Sequence, residues 1–421
     1  MRARSKSAGY GFAAGERHSA AGAAVAGTHD LRLFIVAGEH SGDALGAKLM
    51  AAINAHSKGR VHYLGVGGEL MEQEGLASQF PLSDVAVMGP ISILQRLPRI
   101  VSRVYRTVDA VVAAEPDAVV IIDAPEFTHP IAKRIRKRAP TVPIIDYVSP
   151  SVWAWRPGRA RKMRRYLDHV MALFPFEPEA HDRLGGPACT YVGHPLIERL
   201  NWLRELDPTP LAERLNLDPE RPIVVVLPGS RSSEVARLMA PFGLAVERLG
   251  EGVRTPQVII PVLPHMRALI ASRLKSWSVK PALVEGEEDK FRAFKLAHAA
   301  LTASGTVTLE LALAGTPMVV GYRVDAIAAP FLRSLLKVPT VVLANLVLGE
   351  NVFPELLQEE CEPELLAAQM ELLLKNTPER ARQLAALEKI PQRLALEHGA
   401  PSDAAAEVVL RYAKHGRYRA Q

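Results

Sequence analysis

Nine short apolar runs punctuate the chain: LRLFIVA, HYLGV, AVVIID and PIIDYV in its first half, then PIVVVLP, QVIIPVL, ALTAS, PMVVGY and PTVVLA. Each is bounded by Gly, Pro or polar turn residues, and amphipathic stretches with helical spacing lie between them. Short runs rich in Val and Ile, alternating with helices, are the pattern of βα units around a parallel sheet whose two faces are covered. The polar, proline-marked stretch NWLRELDPTP interrupts the series near residue 200 and reads as a linker. With 421 residues there is material for two cores. The pattern therefore predicts two α/β halves, 31–199 and 200–390, with a helical tail over 391–421. Within that tail, Ala404, Val408, Val409 and Tyr412 have helical spacing, and the tail could pack on either half or on a partner subunit in a homodimer.

Composition narrows the class. Apolar residues make up 48% and charged residues 23%, which describes a well-buried globular protein. Cys189 and Cys361 are far apart and fit a reducing compartment better than a disulfide framework. Residues 1–30 are rich in Ala, Gly, Ser and Arg without apolar periodicity, and are expected to be a disordered extension. No stretch approaches the roughly 20 apolar residues of a membrane-spanning helix. The net charge of +6 favours anionic partners. Its clusters, KRIRKR and RPGRARKMRR, lack any nucleic-acid reader motif, so nucleic acid is not an expected partner.

The chemistry should lie just after the strands, since ligands of open parallel sheets bind outside their carboxyl ends. GVGGEL is not a dinucleotide fingerprint, SGDALGAKL is not a Walker loop, and no His/Cys/Asp cluster has metal-ligand spacing, so no metal or cofactor is expected. In the second half, PGSR follows an apolar run and opens a helix. Gly229, Ser230 and Arg231 there offer backbone N–H groups and a guanidinium to an anion. Ser304, Gly305 and Thr306 open a second helix, with Glu310 one turn in. Two such turns favour a nucleotide-diphosphate site, with the carboxylate suited to a ribose diol, although each alone would serve as an ordinary βα turn. In the first half Asp123 ends an apolar run, where partial desolvation favours a general base; a turn-stabilising role fits the composition equally. YVSPSVWAWRPGR brings Ser149, Trp153 and Arg156 to the same end of the sheet. In VAGEHSGD, Ser41 and Gly42 are placed to meet a sugar or phosphate, while Glu39 and Asp43 cap the turn. A serine hydrolase built on Ser41 or Ser230 is disfavoured, because neither lies in G-x-S-x-G.

VAGEHSGD, IDAPEF, YVSPSVWAWRPGR, PGSR, ASGT, MVVGYR and ELLQEEC follow one another in an order that closely resembles the lipid A disaccharide synthase family, from Leu31 to about residue 390. The resemblance implies a GT-B architecture, two Rossmann-like domains facing a cleft. It also implies an inverting, metal-independent glycosyl transfer from UDP-2,3-diacylglucosamine to 2,3-diacylglucosamine 1-phosphate. On this basis Asp123 is the expected base, Arg231 stabilises the leaving diphosphate, Glu310 binds ribose, and Asn345 belongs to the donor site. Glu126 and Glu350 stand where the family often has Asp and Arg, and His40 where it often has a small residue, so none of the three is assigned a catalytic role. The remaining alternatives are another GT-B UDP-sugar enzyme, such as a UDP-N-acetylglucosamine epimerase, or a nucleotide-sugar binding protein without turnover.

Met88, Ile91, Ile93, Leu94 and Leu97 are interleaved with Arg96, Arg99, Arg103 and Arg106. An ordinary buried βα segment would read the same way. With acylated substrates, the segment becomes a candidate for peripheral attachment to the cytoplasmic face of the membrane.

Overall fold

The computed structural model describes residues 30–57, 60–86, 90–252, 254–325 and 338–419. Two wholly parallel sheets organise it. The first contains β1 (Leu31–Ala37), β2 (Val61–Val66), β3 (Ala77–Ser78), β4 (Ala118–Ile122), β5 (Ile144–Tyr147), β6 (His169–Ala172) and β7 (Ala188–Tyr191), in the order β3-β2-β1-β4-β5-β6-β7. The second contains β8 (Ile223–Leu227), β9 (Gln257–Pro261), β10 (Ala282–Val284), β11 (Ala299–Thr302), β12 (Met318–Tyr322) and β13 (Glu355–Leu357), in the order β10-β9-β8-β11-β12-β13. All five residues of β4 and of β8 are buried, as strands covered on both faces must be.

Both sheets reverse their winding once, between β1 and β4 and between β8 and β11. Helices leaving the strands on the two sides of such a switch diverge, which opens a crevice at the carboxyl ends. The loops after β1 and β4 therefore flank one crevice, and those after β8 and β11 flank the other. These are the four loops that carry Glu39, Asp123, Arg231 and Ser304, with Ser41 in the first turn of the helix that follows Glu39.

Three sequence expectations need correction. PTVVLA is not a strand: Thr340 Oγ1 and the Val341 amide donate to Glu355 Oε2, and a helix starts at Leu343. NWLRELDPTP is not a loose linker, because Leu203, Leu206 and Leu211 are buried in the second-sheet core and Trp202 meets Phe291 edge-on. Ile390 and Leu394 also belong to that core, so the chain leaves the second sheet only after residue 394. The helix Pro401–Arg419 then packs on the helix His40–His56 and buries Val409 and Tyr412 in the first-sheet core. Its Tyr412 hydroxyl lies 3.2 Å from His169 Nδ1, and Ser402 N donates to Glu198 Oε1 at 2.9 Å.

Candidate active site

On the first sheet, Asp123 follows β4 with φ of 50°, and Ala124 follows with φ of 43°. Consecutive non-glycine residues in the left-handed region are strained and need support from their surroundings. That support is visible: Asp123 N donates to Tyr147 O at 3.0 Å, and Thr128 Oγ1 donates to Asp123 O at 2.8 Å. Gly38 is required beside it, since a Cβ there would lie 2.4 Å from the Ala124 Cβ. Burial raises the Asp123 pKa, the Ala124 amide opposes this, and Asp146 adds a further rise. Glu39, at the start of the helix His40–His56, is also raised, first by burial and then by Asp123, while Arg231 of the other sheet lowers it. The two carboxylates and the arginine thus share one electrostatic environment across the two halves.

Behind Asp123 lies a buried polar network that the sequence did not disclose. His129 bridges the Tyr166 hydroxyl at 2.9 Å and Asp146 Oδ2 at 3.0 Å. Ser149 Oγ meets His181 Nε2 at 2.8 Å, so Ser149 is held inside the domain. Trp153 Nε1 donates to Glu177 at 2.9 Å, and Glu177 also accepts from the Leu173 and Phe174 amides at 3.0 Å. The expectation that Trp153 meets a ligand is corrected in part: its indole N–H is committed to Glu177, which leaves the half-buried ring alone for such a contact. Arg156 remains exposed, stacked 4.4 Å from the Trp155 ring centre. Asp43 is corrected too. It is buried and caps the helix Glu69–Gln73, accepting from the Gly68, Leu70 and Met71 amides at 2.8, 3.2 and 3.1 Å. Ser41 is exposed and Gly42 is buried against β4, with Ile122 O 3.4 Å from where a Cβ would stand.

The second sheet holds a cavity of about 700 Å³. Gly229, Ser230, Arg231, Ser304, Gly305, Thr306 and Glu310 all line it, so seven residues read from separate motifs converge on one space. Leu263, Pro264 and Met266 form an apolar wall. Lys290, unsuspected from sequence, donates to both Glu310 oxygens at 3.0 Å. The amides of Ser230 and Arg231 are not free for an anion as expected: both donate to Glu234 Oε2, at 3.0 and 3.2 Å. The Arg231 guanidinium, with 70% of the side chain exposed, is positioned to reach a ligand from this turn, and the exposed Ser230 side chain lines the same cavity. Asn345 lies elsewhere, fully buried. Its amide accepts from the Val352 and Phe353 amides at 3.0 and 2.9 Å and donates to Phe353 O at 2.9 Å, which makes it a staple of its own loop.

The helix Pro90–Ala114 contains the apolar–basic segment. Met88 lies outside the described residues, as do the side chains of Ile91, Ile93 and Leu94. Leu97, Val101 and Tyr105 are 46%, 44% and 51% exposed and, four residues apart, form one stripe. Among the described residues no helix is long and apolar enough to cross a membrane, and no group of three or more His, Cys, Asp or Glu comes together to hold a metal.

Solved structures of similar shape include the UDP-GlcNAc 2-epimerase of Neisseria meningitidis bound to UDP-GlcNAc (TM-score 0.61, 14% identity, 90% of this chain and 98% of that one). MurG of Acinetobacter baumannii superposes with a TM-score of 0.52 at 13% identity, over 90% of this chain and 99% of that one. At such identities the likeness concerns the fold alone, which is GT-B. Sequence relatives are far nearer. The lipid-A-disaccharide synthase of Nitrobacter hamburgensis is 50% identical over 90% of this chain and 95% of its own length, and that of Rhodopseudomonas palustris 48% over 94% and 99%. The model of the lipid-A-disaccharide synthetase family matches residues 33–409. The chain belongs to that family and is a glycosyltransferase of lipid A disaccharide synthesis, acting on sugar-nucleotide and lipid-linked substrates.

Proposed function

We propose that the enzyme joins UDP-2,3-diacylglucosamine to 2,3-diacylglucosamine 1-phosphate by one inverting displacement without a metal, giving the β-1,6-linked disaccharide 1-phosphate and UDP. One observation carries the reading. A half-buried Asp123 of raised pKa on one sheet stands beside Glu39, and Glu39 in turn lies in the electrostatic reach of Arg231 at a nucleotide-sized cavity on the other. Asp123 takes the proton of the acceptor 6-hydroxyl as that oxygen attacks the anomeric carbon. The bond from that carbon to the diphosphate oxygen breaks, and Arg231 with the Ser304–Thr306 turn receives the charge that develops on UDP. The apolar wall of Leu263, Pro264 and Met266 suits a uracil ring. Glu310, held by Lys290 through both oxygens, keeps lone pairs for the two ribose hydroxyls.

Supplying both lipid sugars should release UDP in step with a disaccharide product. Asp123→Ala should reduce turnover by about 10²–10⁴-fold, the range of general-base catalysis, and leave UDP affinity unchanged. If UDP affinity fell with turnover, Asp123 would be a donor ligand and not the base. Since the base acts deprotonated, kcat/KM of the wild type should fall as pH drops through the raised Asp123 pKa, above the ordinary carboxylate range.

The acyl chains require access from a membrane, and we place that contact on the helix Pro90–Ala114, whose exposed Leu97–Val101–Tyr105 stripe is accompanied by the exposed Arg96, Arg99 and Arg106 while Val104, Val108 and Val111 are buried in the core. The surface would be the cytoplasmic face of the membrane. Replacing Ile91, Ile93 and Leu94 with serine should weaken binding to anionic liposomes. Unchanged binding by the folded variant would remove this segment from the docking surface.

A further inference from the structure

We infer that Glu234 is a positioning residue for glycosyl transfer, which fixes the Gly229–Arg231 turn and aims the Arg231 guanidinium at the departing diphosphate; the inference rests on the donor-site reading above. Glu234 sits in the first turn of the helix Ser232–Gly252 with its side chain only 8% exposed. One oxygen accepts from the Ser230 and Arg231 amides. The other accepts from Arg231 Nη1 at 3.2 Å and from the Tyr322 hydroxyl, at the end of β12, at 3.3 Å.

The spacing is that of a capping box, in which a glutamate reaches back to the amide three residues before it. A cap requires only the backbone contacts. Here the same carboxylate also grips the side chain of the residue it caps, and a strand of the sheet grips the carboxylate in turn. With four donors around its two oxygens, Glu234 has little capacity left for a ligand. What it determines is where Arg231 points. Gly229, at φ of 110°, makes room, since a Cβ there would stand 2.5 Å from both the Glu234 Cβ and its Oε2.

Arg231 has another place to go. Its charge already lowers the Glu39 pKa across the crevice, and Asp123 acts on the same Glu39. A guanidinium released from Glu234 would be drawn toward those carboxylates and away from the diphosphate. Held by one nitrogen, it keeps its remaining N–H donors for the leaving group.

The test uses the full chain with both lipid sugars and compares Glu234→Ala, Glu234→Gln, Tyr322→Phe, Arg231→Ala and the Glu234→Ala/Arg231→Ala double variant. In folded protein, Glu234→Ala should lower kcat about tenfold to a hundredfold, less than deleting a charge-stabilising donor outright, with donor KM changed by less than about threefold. Glu234→Gln, which keeps an acceptor for the amides, should recover part of the loss, and Tyr322→Phe should cost a few-fold. The double variant should be no slower than Arg231→Ala alone. Wild-type kcat in Glu234→Ala overturns the inference, as do losses that multiply in the double variant. If Glu234→Ala does not fold, unchanged kcat in both Glu234→Gln and Tyr322→Phe overturns it equally. A wild-type enzyme that releases no UDP would sink the donor-site reading and this inference together, a failure the variants cannot imitate.

Discussion

At the carboxyl ends of the two sheets the backbone is bent by different means. On the first sheet, mostly residues with side chains occupy the left-handed region: Asp123 at φ of 50°, Ala124 at 43°, Val148 at 85° and Arg156 at 54°, with Gly193 at 85° beyond the edge strand β7 as the exception. On the second, glycines do so: Gly229 at 110°, Gly286 at 90° and Gly305 at 141°, with Gln358 beyond the edge strand β13 as the exception. Strain of about 1–3 kcal/mol at each non-glycine position must be offset by neighbours, and the Asp146–His129–Tyr166 and Trp153–Glu177 contacts lie beside those turns. The difference follows from what each side has to present. On the proposed mechanism, a proton acceptor is a side chain that must stand at one place, whereas a diphosphate needs a turn tight enough to let it approach and one long cation.

The largest test of that contrast is Gly229→Ala. The added Cβ would meet Glu234 at 2.5 Å on a backbone that disfavours any Cβ. UDP affinity should fall at least about a hundredfold, roughly 3 kcal/mol, by calorimetry on folded protein. Wild-type affinity would mean that the second sheet does not depend on close backbone approach.

A smaller effect tests the first sheet's buried network. Burial pushes the Glu177 carboxyl from 4.5 up to about 7, against the opposing hydrogen bonds from Trp153, Phe174 and Leu173. Because the folded pKa exceeds the unfolded one, the folded protein binds this proton more tightly. The resulting stability is complete below about pH 4.5 and is lost as pH rises through 7, a difference of about 3 kcal/mol. His169 and His194, pushed down to about 4, act in the opposite sense below their ordinary 6.5, so variant and wild type must be compared at the same pH. Urea unfolding at pH 5 and pH 8 should show a smaller loss in Glu177→Gln than in wild type. Equal losses would remove Glu177 as the source.

These tests also show where the sequence was informative. Gly229 and Ser304 could be placed at one cavity because each follows an apolar run, and a strand's end is fixed by the topology of a parallel sheet; Glu310 could be placed with them because it lies one turn into the helix after Ser304. Asn345 was misread because a polar side chain looks the same in sequence whether it faces a ligand or saturates its own loop. Asp43 was expected to cap its own turn, but its partners begin 25 residues on, at the start of the helix Glu69–Gln73. Lys290 stayed hidden, and Glu234, though part of the Glu-Val that follows PGSR, was given no role, because their partners Glu310 and Tyr322 are 20 and 88 residues away. The three shortest strands, β3, β10 and β13, carry two or three residues each, too few for any period to register. PTVVLA carries β-prone residues, yet the Glu355 side chain of β13 takes the Thr340 and Val341 donors, and a helix starts at Leu343.

The smallest expected effect is the sharpest on the meaning of strain. Ala124 lies in the left-handed region between the strand β4 and the helix Pro125–Arg138. Ala124→Gly removes a Cβ from a conformation that disfavours it, but gives the unfolded chain more freedom. The two terms differ by up to about 1 kcal/mol in favour of the variant. If Ala124 is strained only by accident of the fold, the variant should gain that stability and keep its kcat. If the strain is the means by which Asp123 is held at the crevice, the same gain in stability should come with a several-fold loss of kcat and an unchanged UDP affinity. The second outcome is expected, because Gly38 leaves open the space against which the Ala124 Cβ packs, 2.4 Å from where a Cβ at residue 38 would stand. Emptying that space would let the Asp123 turn relax away from the acceptor hydroxyl.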